Sequence, residues 1–450
     1  MENSNKKLPD THLTGLKPAK KGLSPGQYSD EVVVPLYSFY DPESLKEKGE
    51  IPPKQQPLVP VYLPLNFLNR PKDFTKKAIF ADFKVESDGD LKLTNKELLN
   101  RQSGILTWVI KKAATKIFEG KSVVGLSLPV RIFEARSSID RINDFWFFGP
   151  HYLNQAAAEE PGIDRIKIVT SFIVSALPYS LNCWKPFNPL LGETYQGTLL
   201  DGTEVFCEHT SHHPPISNFL VLSKHWKAYG AITYNGVLKG NNFNLFSEGW
   251  LTIEFKDGNK LKFFLPSLSL KNMVVGSRKV QYVGSICIKD ESLLLKSVIK
   301  MNAEASGYLM SYFTSSRQDT MKGKIYRYNP MKDAEIRGVG GGWYEMMMKQ
   351  GQMEDVTEVF HEIEGSWQSE LKIDGETVWN LEDDHMFAMP VNYTENPLPS
   401  DCRFREDMIW LAMNNQDQSQ IWKTLLEEQQ RKDRKLRKIE AEKRGDHQDH

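Results

Sequence analysis

Between about residues 192 and 395, the chain is a succession of short segments in which apolar and polar residues alternate, and turn-forming residues separate the segments. Residues 250–255 alternate with a period of two, residues 257–259 form an Asp-Gly-Asn turn, and residues 260–265 alternate again, which predicts a β-hairpin. Many short strands without helices between them predict a meandering antiparallel sheet. Because open sheet edges promote aggregation, we expect this sheet to be covered or to curve into a barrel large enough for a ligand.

Helices flank the predicted sheet on both sides, so the predicted fold class is mainly β with flanking helices (α+β). Helical patterns occur near residues 137–148 and 163–181, where Pro178 is expected to kink or end the second helix. After about Leu398 the chain becomes helical again, and residues 421–444 are rich in Glu, Gln, Lys and Arg without Gly or Pro. The predicted parts are helices within 137–181, a β-barrel at about 192–395 and C-terminal helices at 398–445.

The segment from Ser103 to Gly120 has the spacing of an amphipathic helix with lysines on its polar face. Such a helix packs on a core with its lysines in solvent, or it serves as a lid or a membrane-surface segment. The sequence alone leaves both interpretations open. The apolar face comprises Leu106, Val109, Ile110, Ala113 and Ile117.

Composition argues against several classes of protein. The net charge of −1 provides no overall basic field, so we expect no nucleic-acid partner. The four cysteines are far apart without a CxxC pair, and the polar N-terminus has no apolar signal core, so we expect a cytoplasmic monomer without disulfides. We interpret residues 1–102 as an N-terminal extension that precedes a domain formed by residues 103–445. The extension is predicted to be disordered to about residue 30 and an extended arm beyond it.

The first candidate binding motif is the string from Glu208 to Ser217, in which His212 and His213 are followed by two prolines. The prolines exclude a helix and hold the backbone extended, so the two imidazoles project from a stiff segment. Histidine side chains donate hydrogen bonds to phosphate oxygens. The spacing does not match a zinc site in which two histidines lie one helical turn apart, and we expect no metal.

Two further constellations offer positive charge. In the turn-rich connector between the helices and the sheet, Lys185 supplies a charge and Asn188 an amide donor. On the C-terminal helix, Lys423, Glu427 and Arg431 are spaced four residues apart and share one face. Each pattern has an ordinary explanation, a solvated loop lysine and a salt-bridged solvent face respectively. The functional alternative for the helix is a pair of cations, oriented by the carboxylate between them, that binds a phosphate.

Motifs for catalysis are scarce in this chain. There is no GxSxG nucleophile elbow and no Walker A loop. The glycine-rich stretch 338–343 lacks the last glycine of GxGxxG and has no helical pattern after it, so we predict a bulge or turn among strands. A metal-dependent hydrolase using His212 and His213 is an alternative, but no third ligand or general base is evident. We expect a protein that is not an enzyme and that has no cofactor.

From about Ser103 to about Arg437, the sequence resembles the oxysterol-binding protein family. The Ser-His-His-Pro-Pro string at 211–215 is similar to the defining motif of that family, and the connector at 185–195, Lys-Pro-Phe-Asn-Pro-Leu-Leu-Gly-Glu-Thr-Tyr, also matches. The resemblance implies an incomplete antiparallel β-barrel with a lipid tunnel, an N-terminal lid helix at 104–129 and a C-terminal helical region. It also implies a short form that lacks a pleckstrin-homology domain. The C-terminal part of the match comprises residues 398–405, Lys423, Glu427 and Arg431.

The resemblance also implies a function. In the family, a basic mouth binds the headgroup of phosphatidylinositol 4-phosphate, and the tunnel alternatively holds a second lipid, a sterol or phosphatidylserine. Exchange of the two lipids between membranes is the family activity, and it implies peripheral contact with anionic membranes. The alternative is a phosphoinositide or sterol sensor, or a scaffold, without net transport. The residues that match the basic mouth are Lys185, Asn188, His212, His213, Lys423, Glu427 and Arg431.

The histidine assignment predicts that His212→Ala combined with His213→Ala abolishes extraction of phosphatidylinositol 4-phosphate while the protein stays folded. Losing charge-assisted contacts to a phosphate should weaken binding by at least ~2 kcal/mol. Liposome extraction and circular dichroism measure the two properties. Unchanged extraction by a folded double variant would show that these histidines do not bind the headgroup.

Overall fold

The fold is described by a computed structural model. Its described residues are 31–33, 62–64, 73–105, 127–181, 183–212, 214–273, 275–302, 317–394 and 397–444. Several sequence predictions lie outside these residues and stay predictions. They are the lid residues Leu106, Val109, Ile110, Ala113 and Ile117, and the second motif histidine, His213.

Strands are the most numerous elements of the described chain. The N-terminal strands are β1 (Glu31–Val33), β2 (Tyr62–Pro64), β3 (Phe83–Val85), β4 (Leu91–Leu93), β5 (Phe133–Ser137) and β6 (Lys185–Phe187). The central strands are β7 (Thr194–Leu199), β8 (Glu204–His212), β9 (Pro215–Leu222), β10 (Trp226–Lys239), β11 (Asn242–Glu248), β12 (Leu251–Phe255), β13 (Lys260–Phe264), β14 (Ser267–Lys271) and β15 (Lys279–Val283). The last strands are β16 (Ser285–Asp290), β17 (Leu295–Met301), β18 (Thr320–Tyr328), β19 (Val356–Ser366), β20 (Glu370–Ile373), β21 (Glu376–Asn380) and β22 (Val391–Tyr393).

Helices lie before, within and after this series of strands. The α-helices are α1 (Lys76–Ile79), α2 (Lys96–Gln102), α3 (Ser138–Arg141), α4 (Gly149–Ala158), α5 (Ile163–Ala176), α6 (Pro330–Arg337), α7 (Trp343–Gln350), α8 (Leu381–Asp384), α9 (Glu406–Ala412) and α10 (Gln416–Arg444). Short 3-10 helices occur at Val130–Ile132, Ile142–Trp146, Pro178–Ser180, His385–Phe387 and Cys402–Phe404.

The main sheet is an incomplete antiparallel barrel, which confirms the predicted fold. Strands β22, β7, β8, β9 and β10 pair in that order. From β10 one branch continues through β12, β13, β16, β17, β18, β19, β20 and β21. A second branch runs through β11, β14, β15, β4 and β3. Among the described strands, no antiparallel ladder joins β21 to β22, so the barrel stays open there.

The sheet divides at β10 because two strands pair with the same side of it. Residues 226–229 of β10 pair with β12, whereas residues 233–239 pair with β11. Gly249 lies between β11 and β12 with a φ of +112°, and a Cβ there would stand 2.7 Å from the carbonyl oxygen of Ala231. Only glycine allows this close approach, so Gly249 lets the chain pass from one branch to the other.

The short helices after β5 share one hydrophobic core with the sheet. The ring of Trp146 packs against Phe172 of α5, Phe219 of β9 and Trp226 of β10, with centroid distances of 5.6, 5.4 and 6.3 Å. Phe145 stacks on Phe263 of β13 at 5.8 Å. Rings of this size contribute most of the apolar surface that such a core buries. These contacts hold the helical segment against β9, β10 and β13 of the sheet.

Several sequence predictions about local structure are confirmed. Strands β12 and β13 form the predicted hairpin, with Leu251 opposite Phe263. Helix α5 ends at Ala176, before Pro178, and α10 extends through the predicted C-terminal helix to Arg444. The helix predicted at 137–148 is instead a single α-helical turn, α3, that continues as 3-10 helix, and α4 begins separately at Gly149.

Residues 338–342 form a turn, which was one of the two alternatives predicted for 338–343, but this turn connects two helices and does not lie among strands. Gly338 ends α6, and Gly342, at a φ of +88°, precedes α7. The start of α6 is marked by Asn329, whose side chain accepts hydrogen bonds from the first turn, and by Pro330. Helix α7 buries Met347, which packs with strand residues of the sheet, so tertiary contacts stabilise a helix that its short pattern did not reveal.

The sheet also includes residues that precede the predicted domain boundary at Ser103. Strands β3 and β4 form a hairpin, and β4 pairs with β15, placing Leu91 opposite Val280. The hydroxyl of Tyr179 donates to the carbonyl oxygen of Phe74 at 2.8 Å. Residues 83–93 therefore belong to the barrel sheet and are not an arm lying on it.

Candidate functional site

A cavity of about 420 Å³ lies inside the barrel. Its wall is mostly apolar, as in sites that bury a hydrophobic ligand. Lys185 and Asn188, two residues of the predicted basic mouth, also line this cavity, together with Ile105 and Leu128. Apolar lining residues include Phe145, Trp146, Phe219, Ile232, Leu238, Leu245, Phe246, Leu251, Leu268 and Leu270.

Two lysines from distant parts of the chain meet at this side of the cavity. Lys185 lies on β6 and Lys423 on α10, and their Nζ atoms are 4.9 and 5.5 Å from the centre of the Phe133 ring. Lys185 Nζ also donates a hydrogen bond of 2.8 Å to Asn188 Oδ1. The shared aromatic ring stabilises both cations through its negative face. The fold therefore brings two lysines of the predicted basic mouth to one ring.

The helix face that carries Lys423 is buried at this end and not a solvated surface. Lys423 is 3% exposed, and its Nζ donates to Glu427 Oε1 at 2.5 Å and to Ser127 Oγ at 3.0 Å. Ser127 Oγ in turn donates to Glu427 Oε2 at 2.7 Å. The Arg431 guanidinium lies 3.6 Å from Glu427 Oε2 and is 56% exposed. The predicted carboxylate between two cations is present, and Ser127 holds it in place.

Positive charge exceeds negative charge in this group. Burial, followed by repulsion from Lys423, lowers the pKa of Lys185 to about 8, and only Glu427 opposes this shift. Lys185 is therefore mostly protonated at neutral pH, but its pKa lies only slightly above that pH. An anion placed beside these lysines would favour the protonated form and would itself be stabilised.

A buried ion pair fixes the connector that carries Lys185 and Asn188. Arg405 Nη1 donates to Glu193 Oε2 at 2.9 Å and to the carbonyl oxygen of Asn188 at 2.7 Å. Glu193 Oε2 also accepts from the backbone N–H of Leu190 at 2.8 Å, and Glu193 Oε1 accepts from Ser137 Oγ at 2.5 Å. The pair thus joins β5, the connector and the start of α9.

His212 lies at the end of β8, where the Pro-Pro sequence leads directly into β9. Its Nδ1 atom is 3.1 Å from Nε2 of His209, and the other ring nitrogen of His209 is 3.0 Å from Ser217 Oγ. Burial, then the charges of His212 and Arg405, lower the pKa of His209 to about 3, so His209 is neutral. A neutral imidazole donates at one nitrogen and accepts at the other, so this chain orients His212.

The histidine pair contacts the same connector as the lysines, but at its other end. The backbone N–H of Gly192 donates to the carbonyl oxygen of His209 at 2.8 Å, and the N–H of His209 donates to the carbonyl oxygen of Glu193 at 2.9 Å. The structure therefore joins Lys185, Asn188, Lys423 and Glu427 through side-chain contacts. It links His212 to them through the backbone of the connector.

Sequence reasoning missed several residues of this site. Glu193 and His209 stand inside the motifs that it quoted, but their structural roles depend on partners more than 50 residues away or across a hairpin. Ser127 lies just before the Leu-Pro sequence at the end of the predicted lid. Arg405 ends the matching string 398–405 and Phe133 lies in none of the motifs, but neither role is visible locally, because both arise from packing between distant segments.

Neither a metal cluster nor a membrane-spanning helix is found in the part of the chain that the structure describes. Within it, no group of three or more His, Cys, Asp or Glu side chains is close enough to hold a metal ion. No described helix is long and apolar enough to span a membrane.

Comparison with known proteins places the chain among lipid-binding relatives. The family model described as oxysterol-binding protein matches residues 112–449. The chain is 33% identical over 365 residues to oxysterol-binding protein 9 of Dictyostelium discoideum. The aligned region covers 79% of this chain and 81% of that relative.

Two solved structures share the fold. The Osh3 ORD of Saccharomyces cerevisiae, in complex with PI(4)P, matches with a TM-score of 0.56 at 23% identity, over 74% of this chain and 84% of that one. The Osh1 ORD domain, in complex with cholesterol, matches with a TM-score of 0.57 at 20% identity, over 80% and 85% of the two chains.

The pKa of Lys185 tests the geometry of the mouth without any lipid. Lys423→Met removes a like charge, so the pKa of Lys185 should rise from about 8 toward 10.5, whereas Glu427→Gln should lower it further. Lys438→Met, on an exposed turn of α10, is the matched control and should leave the pKa of Lys185 unchanged. NMR titration of ¹³C-methylated lysines measures these values. An unchanged Lys185 pKa in Lys423→Met would contradict the proximity of the two amines.

Proposed function

The chain belongs to the oxysterol-binding protein family, and we propose that it holds lipids in the barrel cavity and transfers them between membranes. We further propose that it exchanges phosphatidylinositol 4-phosphate for a second lipid, a sterol or phosphatidylserine. The observation that carries this proposal is the meeting of an apolar cavity with two lysines at Phe133, the half-buried Lys185 and the buried Lys423. One ligand that fits both features has a hydrophobic body and a phosphorylated headgroup.

The headgroup would bind at the amines of Lys185 and Lys423. Their charges exceed that of Glu427, which supports an anion as the missing partner. Glu427 accepts a hydrogen bond from Ser127 and would orient Lys423. The same carboxylate oxygen also lies 3.6 Å from the Arg431 guanidinium. Charge-assisted hydrogen bonds from several donors are strong and directional, and they favour a phosphate monoester over a neutral headgroup.

Exchange would follow if both lipids use the same cavity. Acyl chains of a phosphoinositide and the body of a second lipid would occupy the same apolar space, so binding of one excludes the other. The Osh3 and Osh1 domains with this fold were solved with PI(4)P and with cholesterol respectively, which supports two lipid classes for one architecture. Such a protein moves lipids without making or breaking bonds, and we propose no enzymatic activity.

Contact with anionic membranes is supported by the C-terminal half of α10. Between residues 431 and 444 the helix carries eight lysines and arginines against three acidic residues. Leu436 and Ile439 lie one turn apart on it and are 64% and 48% exposed. Aliphatic side chains flanked by lysines on one face are typical of helices that lie on anionic bilayers. The excess positive charge disfavours a second copy of the same helix as the partner. This face comprises Lys432, Lys435, Leu436, Ile439 and Lys443.

The headgroup assignment predicts different effects on the two lipids. Lys423→Ala should lower extraction of phosphatidylinositol 4-phosphate at least about tenfold, because a buried cation is lost, and Arg431→Ala should lower it less, because Arg431 is exposed. Extraction of a sterol, which has no phosphate, should change less than about twofold. Lys438→Ala is the control for loss of one charge on the same helix. Equal losses of both lipids would contradict the assignment if the second lipid is a sterol.

Transfer between liposomes separates exchange from the sensor alternative. With donor liposomes that contain phosphatidylinositol 4-phosphate and acceptor liposomes that contain the second lipid, catalytic amounts of protein should move many equivalents in both directions. A sensor or scaffold would bind at most one lipid per protein and would move neither lipid beyond that amount.

The membrane face predicts that Leu436→Gln with Ile439→Gln lowers the fraction of protein bound to phosphatidylserine-containing liposomes severalfold. Met331→Gln, which replaces a 77% exposed methionine on α6, is the matched control and should not lower binding. Sedimentation with liposomes measures the effect, and size-exclusion chromatography checks the oligomeric state. Unchanged sedimentation, or a change in oligomeric state in its place, would contradict a membrane role for this face.

A further inference from the structure

A second cation lies on the wall of the cavity. Arg278 lines the cavity just before β15 and is only partly exposed. One terminal nitrogen donates to the side-chain oxygen of Gln102, and the other lies 3.4 Å from the carbonyl oxygen of Met273. Both partners are neutral. The Nε atom of Arg278 is buried and has no hydrogen-bond partner.

Nearby cations in comparable positions have carboxylate partners, whereas Arg278 has none among the described residues. Lys279, the next residue, pairs with Asp88 at 3.0 Å and with Asp90 at 3.1 Å. Arg141, which also lines the cavity, pairs with Glu134 and with Asp144 at 2.7 Å. These pairs show that the fold supplies acidic partners where it buries structural cations.

Burial without a partner is unfavourable for a guanidinium. Burial lowers the pKa of Arg278 from its usual value, although an arginine remains charged at neutral pH. A buried charge normally has an ionic or fully hydrogen-bonded environment, and an unmade bond at Nε adds to the cost. An anionic ligand in the cavity would compensate the positive charge of the guanidinium.

Gln102 places Arg278 beside the connector that carries the lysine site. Its side-chain amide nitrogen donates to the carbonyl oxygen of Cys183 at 2.9 Å, while its oxygen accepts from Arg278. Cys183 lies two residues before Lys185, so Arg278 is tied to the start of the same segment. A guanidinium has five N–H donors, and these two neutral contacts leave donors on the terminal nitrogens available.

We propose that Arg278 is a second anion subsite, which binds the phosphodiester that joins the glycerol and the headgroup of a phospholipid in the cavity. This inference rests on the proposed lipid function and deepens it. The lysine pair would hold the terminal phosphate of a phosphoinositide, and Arg278 would hold the group one step closer to the acyl chains. Phosphatidylserine offers the same phosphodiester, whereas a sterol hydroxyl offers no charge.

Extraction of three lipids by Arg278 variants tests this subsite. Liposomes contain phosphatidylinositol 4-phosphate, phosphatidylserine or cholesterol in a phosphatidylcholine background. Arg278→Met should lower extraction of phosphatidylinositol 4-phosphate at least about tenfold and change cholesterol extraction less than about twofold, because only the phospholipid loses a charge-assisted contact. Arg278→Lys should retain most extraction. Arg327→Met, which removes an exposed arginine from β18, is the matched control for net charge.

The outcomes separate this inference from the proposed function. If Arg278→Met lowers extraction of both phosphatidylserine and the phosphoinositide, the subsite binds both lipids. If it lowers extraction of the phosphoinositide alone, the subsite binds that lipid. Either result supports the subsite. Wild-type extraction with no loss in Arg278→Met overturns the subsite and leaves the function standing. Equal losses of all three lipids also overturn it. Failure of the wild-type protein to extract any of them contradicts the function itself.

Discussion

The buried ion pair between Arg405 and Glu193 is the interaction on which the mouth of the cavity depends. Neither group is more than 6% exposed, and their contacts reach Ser137, Asn188 and the start of α9. Arg405 also pairs with the buried carboxylate of Asp407 at 2.7 Å, so removing Arg405 would leave two buried acidic groups without this partner, which is strongly destabilising. The pair therefore orders the connector that presents Lys185, even though it contacts no ligand-binding atom in our proposal.

Charge compensation distinguishes the structural ion pairs of this fold from its candidate binding site. Outside the mouth, Lys296 is fully buried and pairs with Asp333 at 2.6 Å and with Asp355, and Lys289 pairs with Asp333 at 2.8 Å. At the cavity, two lysines share one glutamate and Arg278 has no acidic partner among the described residues. Uncompensated cations beside an apolar wall are costly for the folded protein, which supports our proposal of an anionic ligand with a hydrophobic body.

The cavity lies against β10 and the second branch of the divided sheet. Its strand residues come mostly from β10, β11 and β14, and β12 of the first branch contributes Leu251. Helical residues before the barrel complete the wall of this cavity, and Trp146, which packs on β9 and β10, is one of them. Lys185 and Asn188 also line the cavity, so two residues of the predicted basic mouth lie on a mostly apolar wall.

Local patterns in the sequence determined several elements of the fold. Alternation and turn residues specified the hairpin at 250–265, and Pro178 specified the end of α5, because strand pairing across a short turn and the missing proline N–H are local effects. The motif strings identified Lys185, Asn188, His212, Lys423, Glu427 and Arg431 through family resemblance. They did so without indicating which of these residues touch.

Only the tertiary structure decided how the site is assembled. The sequence did not reveal α6 and α7, because helices of eight residues depend on the surfaces that they cover. It also did not reveal that Phe133 lies under two lysines from β6 and α10, or that Ser127 holds Glu427. Arg278 belongs to no sequence motif. It stands out because it lines the cavity and has no acidic partner among the described residues. Burial and compensation of charge are properties of packed neighbours far apart in the chain, so they appear only when the fold brings those neighbours together.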